Sequence, residues 1–151
     1  MSNETKAHET TSGLAWIAAR LINNKIQLAI SERHSDINTE QLTMLMELAY
    51  EDGIRPTTLA KRMTRSKGTI SSLIRHATKN GLIATAPDPT NKNAKRIHLT
   101  IKGKEMHDEL MPVLMNILIG STEGIDPADL EATQRVMTKI IKTEYPEFFE
   151  Y

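Results

Sequence analysis

The chain has 151 residues, 19 basic and 19 acidic side chains, and no cysteine. This length supports one domain, or one domain with a helical appendage. Without cysteine there is no disulfide, thiolate metal site or thiol redox centre. No apolar stretch approaches the ~20 residues needed to cross a bilayer, and the first thirty residues lack a secretory signal pattern, so a cytoplasmic protein is predicted.

The charges are segregated along the chain. Residues 54–104 hold twelve basic side chains and one acid, Asp88, which gives this block a formal charge of +11. The remaining residues balance it with a charge of −11. A basic block within a neutral chain is the electrostatic pattern expected of a protein that binds nucleic acid.

Residues 1–10 are polar and are predicted to fray. A first helix is predicted from Thr11 to about Ser31, with Trp16 and Arg20 beside its apolar stripe. An arginine in such a place usually extends its head group to solvent or pairs with a surface acid. The stripe comprises Leu14, Ile17, Ala18, Leu21, Ile22, Leu28 and Ala29.

Two shorter helices follow. Asn38 and Gln41 predict a capping box at the start of the second helix, which stops before Asp52-Gly53. Arg55-Pro56 starts a third helix, because proline suits the first helical position. The predicted inner residues are Leu42, Leu45, Met46 and Ala49 in the second helix, and Leu59, Ala60 and Met63 in the third.

A fourth helix is predicted from its cap at Ser66 to Asn80, with Gly81 as its stop. Its apolar residues have the spacing of one buried stripe, and its opposite face carries donors, small side chains and no carboxylate. Such a face suits a phosphate-lined groove, although an ordinary solvated face has the same composition. The buried stripe comprises Ile70, Leu73, Ile74 and Ala77, and the opposite face Gly68, Thr69, Ser72, Arg75, His76 and Lys79.

A β-hairpin and two further helices complete the chain. Strands are predicted at 82–86 and 95–100, joined by a turn-rich tip at 88–93. Two helices joined by a tight turn and followed by a basic hairpin describe a winged helix-turn-helix. Thr100 caps a fifth helix that Pro112 should kink or deprive of one backbone bond, and Asp126-Pro127 starts the sixth. The final segment, residues 145–151, holds four of the six aromatic residues.

The order and spacing of these elements resemble the MarR family of bacterial transcriptional regulators, from about Leu14 to Ile141. The stretches that carry the resemblance are Asn38-Thr39-Glu40-Gln41-Leu42, Leu59-Ala60-Lys61-Arg62-Met63, Lys79-Asn80-Gly81-Leu82-Ile83 and Leu99-Thr100-Ile101-Lys102-Gly103. The resemblance implies a mainly α fold with a small β-hairpin wing and a helical dimerisation region. Residues 1–36 would be an arm and dimerisation helix, 37–100 the DNA-binding lobe, and 101–151 the C-terminal dimerisation helices and aromatic tail.

The resemblance also implies a homodimer on a near-palindromic operator in double-stranded DNA, with one recognition helix of each protomer in a major groove. A repressor released by a small aromatic or phenolic ligand is expected. Trp16, Arg20 and Met44 lie on elements that would flank the ligand cleft, although they could simply pack there. The predicted DNA-binding residues are Arg65, Ser66, Lys67, Thr69, Ser71, Ser72, Arg75, His76, Lys92, Lys95 and Arg96.

The wing departs from the family pattern. Asn91, Lys92 and Asn93 stand where an acid and two arginines are usual, which puts in doubt both the minor-groove arginine and the ion pairing that shapes the tip. Lys92, Lys95 and Arg96 could substitute electrostatically.

Other functions find less support in the sequence. No Gly-rich phosphate loop, HExxH motif or nucleophile elbow is present, so an enzyme is not expected. The five histidines lack metal-ligand spacing, so neither a metal nor a cofactor is expected. The alternative to a DNA-binding regulator is a winged-helix adaptor that docks its basic face on an acidic protein partner. Steep salt dependence on duplex DNA would distinguish the two.

Overall fold

The computed structural model describes residues 4–150. Residues 1–3 of the predicted arm and Tyr151 of the predicted aromatic tail lie outside the described residues. The predicted fold class is confirmed: the described range contains six α-helices and one two-stranded antiparallel hairpin. The helices are α1 (Thr11–Ser31), α2 (Thr39–Tyr50), α3 (Pro56–Arg62), α4 (Lys67–Lys79), α5 (Ile101–Gly120) and α6 (Pro127–Glu144), and the strands are β1 (Ile83–Asp88) and β2 (Asn91–Leu99).

The N-terminal segment is more regular than predicted. Residues Ala7–Glu9 form a short 3-10 turn before α1. The Glu9 carboxylate accepts a hydrogen bond from the Lys6 amide at 2.9 Å, and the Thr10 hydroxyl accepts from the Gly13 amide at 2.9 Å. These bonds satisfy donors that the start of a helix leaves free.

The first compact unit of the chain, which runs up to Ile117, contains the hydrophobic core. Helix α5 enters this core through Gly103, where a Cβ would stand 2.0 Å from the Leu82 carbonyl oxygen. Only glycine permits so close an approach of two backbones. The largest fully buried side chains are Ile30, Met44, Leu45, Leu48, Leu59, Ile70, Leu82, Ile97 and Leu110.

Helix α1 has two apolar faces, where the sequence predicts one stripe. Ile26 and Ile30, which lie outside that stripe, are its buried residues. Leu14, Leu21 and Leu28 lie within the stripe and are exposed. Periodicity identifies an apolar helix but does not separate a face that packs within the chain from one left open to a partner.

Helix α2 begins as predicted at Asn38, whose side chain accepts from the Gln41 amide at 2.9 Å. The reciprocal half of the predicted capping box is wrong. Gln41 is buried, and its Oε1 has no hydrogen-bond partner among the described residues. Two predicted inner residues also differ: Met46 is half-buried and Ala49 is exposed, whereas Met44 and Leu48 are buried.

The hairpin is longer than predicted. Its strands pair from Ile83 with Leu99 to Asp88 with Asn91, with a register shift between Pro87 and Asp88. Residues at the predicted tip therefore join the ladder. At the other end, the Ile97 amide donates to the Ile54 carbonyl at 2.9 Å, which fixes the wing to the segment before α3.

The second compact unit runs from Leu118 onward and contains α6. Asp126 caps α6 as predicted, by accepting from the Ala128 amide at 2.9 Å. After α6 the chain turns, and Phe148 lies 5.9 Å from Tyr145 and 5.0 Å from Phe149 between ring centroids, both edge-on. Phe148 therefore packs against both Tyr145 and Phe149 in the described part of the tail. Helix α5, for which a kink or a lost backbone bond was predicted at Pro112, continues through this proline as one helix.

Candidate nucleic-acid interface

Helix α4 presents the exposed face predicted from its sequence. Ile70, Leu73 and Ala77 anchor its inner side in the core, while Ile74 is half-buried. The space around Gly68 is open, with no atom within 4 Å of the position a Cβ would take. A second backbone could therefore approach α4 closely at this point. On the outer side Lys67, Thr69, Ser71, Arg75, His76 and Lys79 are exposed and Ser72 is half-buried.

A tight turn sets the direction of α4. Thr64 adopts a positive φ of 53°, a conformation that β-branched residues rarely take. The next amide, that of Arg65, donates to the Ala60 carbonyl at 3.0 Å, and the Ser66 hydroxyl accepts from the Thr69 amide at 3.2 Å. Ser66 is therefore a helix cap, and its hydroxyl also lies 3.0 Å from that of Thr69.

Two arginines of the basic block are paired with acids at the two ends of α2, Glu40 in its first turn and Glu51 directly after its last residue. The Nε of Arg65 donates to Glu40 at 3.0 Å, and a second bond joins the same two side chains. This hydrogen bonding and the charge of Glu40 raise the pKa of Arg65. Arg62 pairs with Glu51. The positive charge of residues 54–104 is therefore partly compensated, because acids from outside this block pair with two of its arginines.

The wing is shaped by a buried carboxylate. The Asp88 side chain is fully buried, and its Oδ2 accepts from Arg55 Nε at 2.8 Å and from Arg96 Nε at 3.0 Å. Its Oδ1 accepts from the Thr90 amide at 2.8 Å and the Thr90 hydroxyl at 2.7 Å. These hydrogen bonds from Thr90, together with those from Arg55, hold the pKa of Asp88 well below its usual range.

The ion pairing that the atypical tip put in doubt is present in the wing, between Asp88 and two arginines. Arg96 comes from β2 and Arg55 precedes α3, so the pairs with Asp88 bridge separate elements. Arg96 also donates to the Gly53 carbonyl at 3.0 Å. Two nitrogens of its guanidinium are therefore bonded within the protein, whereas Lys92 and Lys95 are exposed.

Replacing Asp88 with Asn should lower the stability of the fold at neutral pH, because two guanidinium groups lose their shared anion. The folded-state pKa of Asp88 lies below its unfolded value, so the ionised group stabilises the fold fully above about pH 5. This contribution is lost progressively as the pH falls further. Urea titrations between neutral and acidic pH should therefore show a wild-type advantage that is constant down to about pH 5 and then shrinks.

The exposed Glu123, which lies between α5 and α6, supplies the control. Glu123→Gln removes one carboxylate charge from a residue outside the wing sequence. The assigned role of Asp88 would be contradicted if Asp88→Asn lowered the free energy of unfolding by the same amount in strong acid as at neutral pH. A loss of the same size in Glu123→Gln would also contradict it.

The predicted ligand residues occupy different environments. Trp16 is 66% exposed on α1, and the Arg20 guanidinium lies 5.6 Å from the centre of its ring. Met44 is completely buried in the core. In this conformation Met44 presents no surface to a ligand, whereas Trp16 and Arg20 form an exposed cation–π pair.

Within residues 4–150, no cluster of three or more His, Asp or Glu side chains could hold a metal ion. No helix in this part of the chain is both long and apolar enough to cross a membrane.

A family model and the solved structures both match the chain. The model of the MarR family matches residues 35–92, which include α2, α3, α4 and the start of the wing. No curated protein sequence matches the chain.

Three solved regulators have the same fold. BpsR of Bordetella bronchiseptica, whose DNA binding is regulated by 6-hydroxynicotinic acid, has a TM-score of 0.81 at 19% identity, over 91% of this chain and 97% of its own. MepR of Staphylococcus aureus in complex with DNA has a TM-score of 0.80 at 22% identity, over 89% and 98%. A MarR-family regulator of Streptomyces coelicolor in complex with DNA has a TM-score of 0.81 at 18% identity, over 95% and 91%.

The exposed helix α4, the tight turn before it and the hairpin after it define the class of protein as winged helix-turn-helix. Residues 35–92 of this class-defining lobe are similar to the MarR family, whose model they match.

Proposed function

We propose that this protein is a homodimeric transcriptional repressor that binds a near-palindromic operator in double-stranded DNA. The observation that carries the proposal is the outer face of α4, which is basic and hydroxyl-rich and contains no carboxylate. A recognition helix of this kind enters the major groove with its side chains toward the base edges. MepR and the Streptomyces coelicolor regulator, which share the fold, are in complex with DNA.

On this proposal, the residues that contact DNA have two roles, base contact and phosphate contact. Arg75 and Ser72 lie on the face of α4 that would meet base edges, and arginine can donate two hydrogen bonds to guanine. Among the described residues Arg75 makes no ion pair, so its guanidinium is available to DNA. Lys67, Lys79, Lys92 and Lys95 supply positive charge for phosphates, which positions the protein without selecting sequence.

The apolar surface of the single chain supports dimerisation. Leu14, Leu21 and Leu28 are spaced seven residues apart on α1 and remain more than half exposed. No residue of α6 is buried, although Val136 and other apolar side chains lie on it. Obligate dimer interfaces are as apolar as a domain core, and the exposed apolar side chains of α1 and α6 form surfaces of this kind. We therefore assign residues 1–36 and 101–151 to dimerisation and residues 37–100 to DNA binding.

A small aromatic effector is part of the proposal. BpsR, which shares the fold, is regulated in its DNA binding by 6-hydroxynicotinic acid. In the present protein the exposed pair of Trp16 and Arg20 offers an aromatic face and a cation to such a ligand. Because both residues lie on α1, a ligand there would act through the dimerisation helices rather than by covering α4.

Selection of bound duplexes from a random library, followed by affinity measurements across a range of salt concentrations, tests the proposed function. We expect a near-palindromic consensus and an affinity that falls steeply with salt, because phosphate contacts release counterions. No enriched sequence, together with salt-independent or absent binding to duplex DNA, would favour the adaptor with an acidic protein partner.

Lys92→Ala tests the part played by the wing. Lys92 is exposed near the tip, and lysine is a mobile point charge without the planar fork that suits arginine to a narrow groove. Binding should therefore weaken about equally on all sequences, and the log–log salt slope should fall by roughly one unit per protomer. Lys139→Ala, which removes an exposed lysine from α6, is the matched control. A changed preference between flanking sequences with an unaltered slope would show instead that the wing reads DNA shape.

A further inference from the structure

Three consecutive backbone carbonyls directly follow α4, and each accepts a hydrogen bond from the start of α5. Lys102 Nζ donates to the Asn80 carbonyl oxygen at 2.8 Å. The Thr100 hydroxyl donates to the Gly81 carbonyl oxygen at 2.6 Å, and the Thr100 amide donates to that of Leu82 at 3.1 Å. These three bonds form a clamp between the C-terminal end of α4 and the first turn of α5, the α4–α5 clamp.

The backbone part of the clamp is also part of α5 itself. The Thr100 hydroxyl accepts from the Gly103 amide at 3.0 Å, so it caps α5 while it bonds to Gly81. A Cβ at Gly103 would stand 2.0 Å from the Leu82 carbonyl oxygen, so the two backbones are in direct contact. Replacing Thr100 or Gly103 would therefore disturb α5 together with the clamp. Lys102 is exposed, and its side chain can be exchanged without entering the core.

Lys102 places a cation where α4 ends. The last carbonyls of a helix lack partners within it and carry partial negative charge, so a lysine ammonium stabilises them. The stem of Lys102 runs beside Gly81, where a Cβ would stand 3.8 Å from Lys102 Cδ. Core packing holds the inner face of α4, and Lys102 holds its C-terminal end.

We propose that Lys102 is a positioning residue that fixes the orientation of α4 relative to α5 and thereby limits the half-site spacings that the dimer accepts. The inference rests on the proposed function, in which α4 reads base edges and residues 101–151 contribute to dimerisation. Further along α5, Met115 is 42% exposed and available to a second protomer. An operator with altered spacing requires the recognition helices to tilt, and the clamp opposes this tilt.

A lysine within the basic block has an alternative role as a phosphate contact. A phosphate contact contributes affinity on every duplex and adds to the salt slope. A positioning residue instead changes the discrimination between operators of different spacing. The bond from the Lys102 ammonium to the Asn80 carbonyl favours the positioning role, because it directs the charge to α4.

Lys102→Met, Lys102→Arg and the matched control Lys104→Met test the proposal on the full-length protein. Methionine keeps the apolar stem and removes the ammonium, whereas arginine keeps a cationic donor. Lys104 is exposed on the same helix, and its ammonium makes no hydrogen bond within residues 4–150. Affinity and salt slope are measured on the selected operator and on the same duplex with one base pair inserted between the half-sites.

The preference for the selected spacing should fall about fivefold in Lys102→Met, as expected for the loss of one hydrogen bond. Lys102→Arg should restore most of the preference, and Lys104→Met should leave it unchanged. The salt slope of Lys102→Met should equal that of Lys104→Met, because each variant loses one exposed positive charge.

Amide hydrogen exchange in the absence of DNA tests the clamp by itself. The Gly81 and Leu82 amides donate to the Thr78 and Ala77 carbonyls at 3.0 and 2.9 Å, so their exchange reports opening at the end of α4. Exchange at these two amides should be about fivefold faster in Lys102→Met than in the wild type. Lys104→Met should exchange at the wild-type rate.

Unchanged exchange in Lys102→Met would overturn the proposal, as would an unchanged spacing preference or a loss that Lys104→Met reproduces. Equal weakening on both duplexes, with a salt slope below that of Lys104→Met, would make Lys102 a phosphate contact instead. Faster exchange in a protein that binds no duplex would refute the proposed function, and with it the effect on spacing, although the clamp itself would be supported.

Discussion

Leu21→Glu should abolish the dimer and, with it, tight operator binding. Leu21 is the middle residue of the exposed apolar row on α1 and is 60% exposed in the single chain. Burying an unpaired carboxylate at an apolar interface costs several kcal/mol, which the association of two helices would not recover. Because the side chain is exposed within one chain, the fold of the protomer should tolerate the change. Analytical ultracentrifugation should show a monomer, and circular dichroism should show unchanged helix content.

Asn23→Glu is the matched control for this experiment. Asn23 is exposed on the same helix, two residues from Leu21 and about 160° around the axis at ~100° per residue. Asn23→Glu introduces the same charge on a different face of α1, so this variant should remain a dimer. If Leu21→Glu stayed dimeric, α1 would not contribute its leucine row to the interface. If both variants became monomeric, general charge repulsion rather than the row would be responsible.

Arg75→Ala should cost about 1–3 kcal/mol of operator binding and relax the preference at one base position in each half-site. The guanidinium projects from the outer face of α4, while Ile70, Leu73 and Ala77 hold the inner face in the core. Arg75 is exposed, so its removal should leave the thermal stability of the protein almost unchanged. Competition between the selected operator and single-base variants measures both affinity and preference.

Arg75→Lys separates base reading from charge. Lysine keeps the positive charge but lacks the planar fork that donates two parallel hydrogen bonds. A base contact predicts that Arg75→Lys loses selectivity nearly as Arg75→Ala does. A phosphate contact predicts that lysine restores most of the affinity, and equal weakening by alanine on every sequence would assign Arg75 to the backbone of the DNA.

Local signals account for what the sequence predicted well. The ends of α4 follow from the Ser66 cap and from Gly81, whose φ is +73°, and its buried face follows from helical periodicity. Each of these features depends on residues within a few positions of one another. Propensity, capping and spacing are therefore sufficient to place such a helix and its exposed face.

Contacts between distant residues account for what was missed. Asp88 was identified as the one acid of the block, but its pairing with Arg55 spans 33 residues and depends on how the wing returns to α3. The pair of Arg65 with Glu40 likewise joins elements 25 residues apart. Gln41 matched a capping pattern that leaves its side chain at the helix end, whereas the structure buries this side chain. Local sequence patterns do not indicate contacts between residues that lie so far apart in the chain.

On the proposed function, two recognition helices of one dimer read two half-sites on the same face of the DNA. The most direct measurement compares affinity for the selected operator with affinity for the same duplex carrying about 5 extra base pairs between the half-sites, which is half a helical turn. Binding should weaken about 100-fold or more, because the second half-site rotates out of reach. Equal affinity for the two duplexes would contradict it.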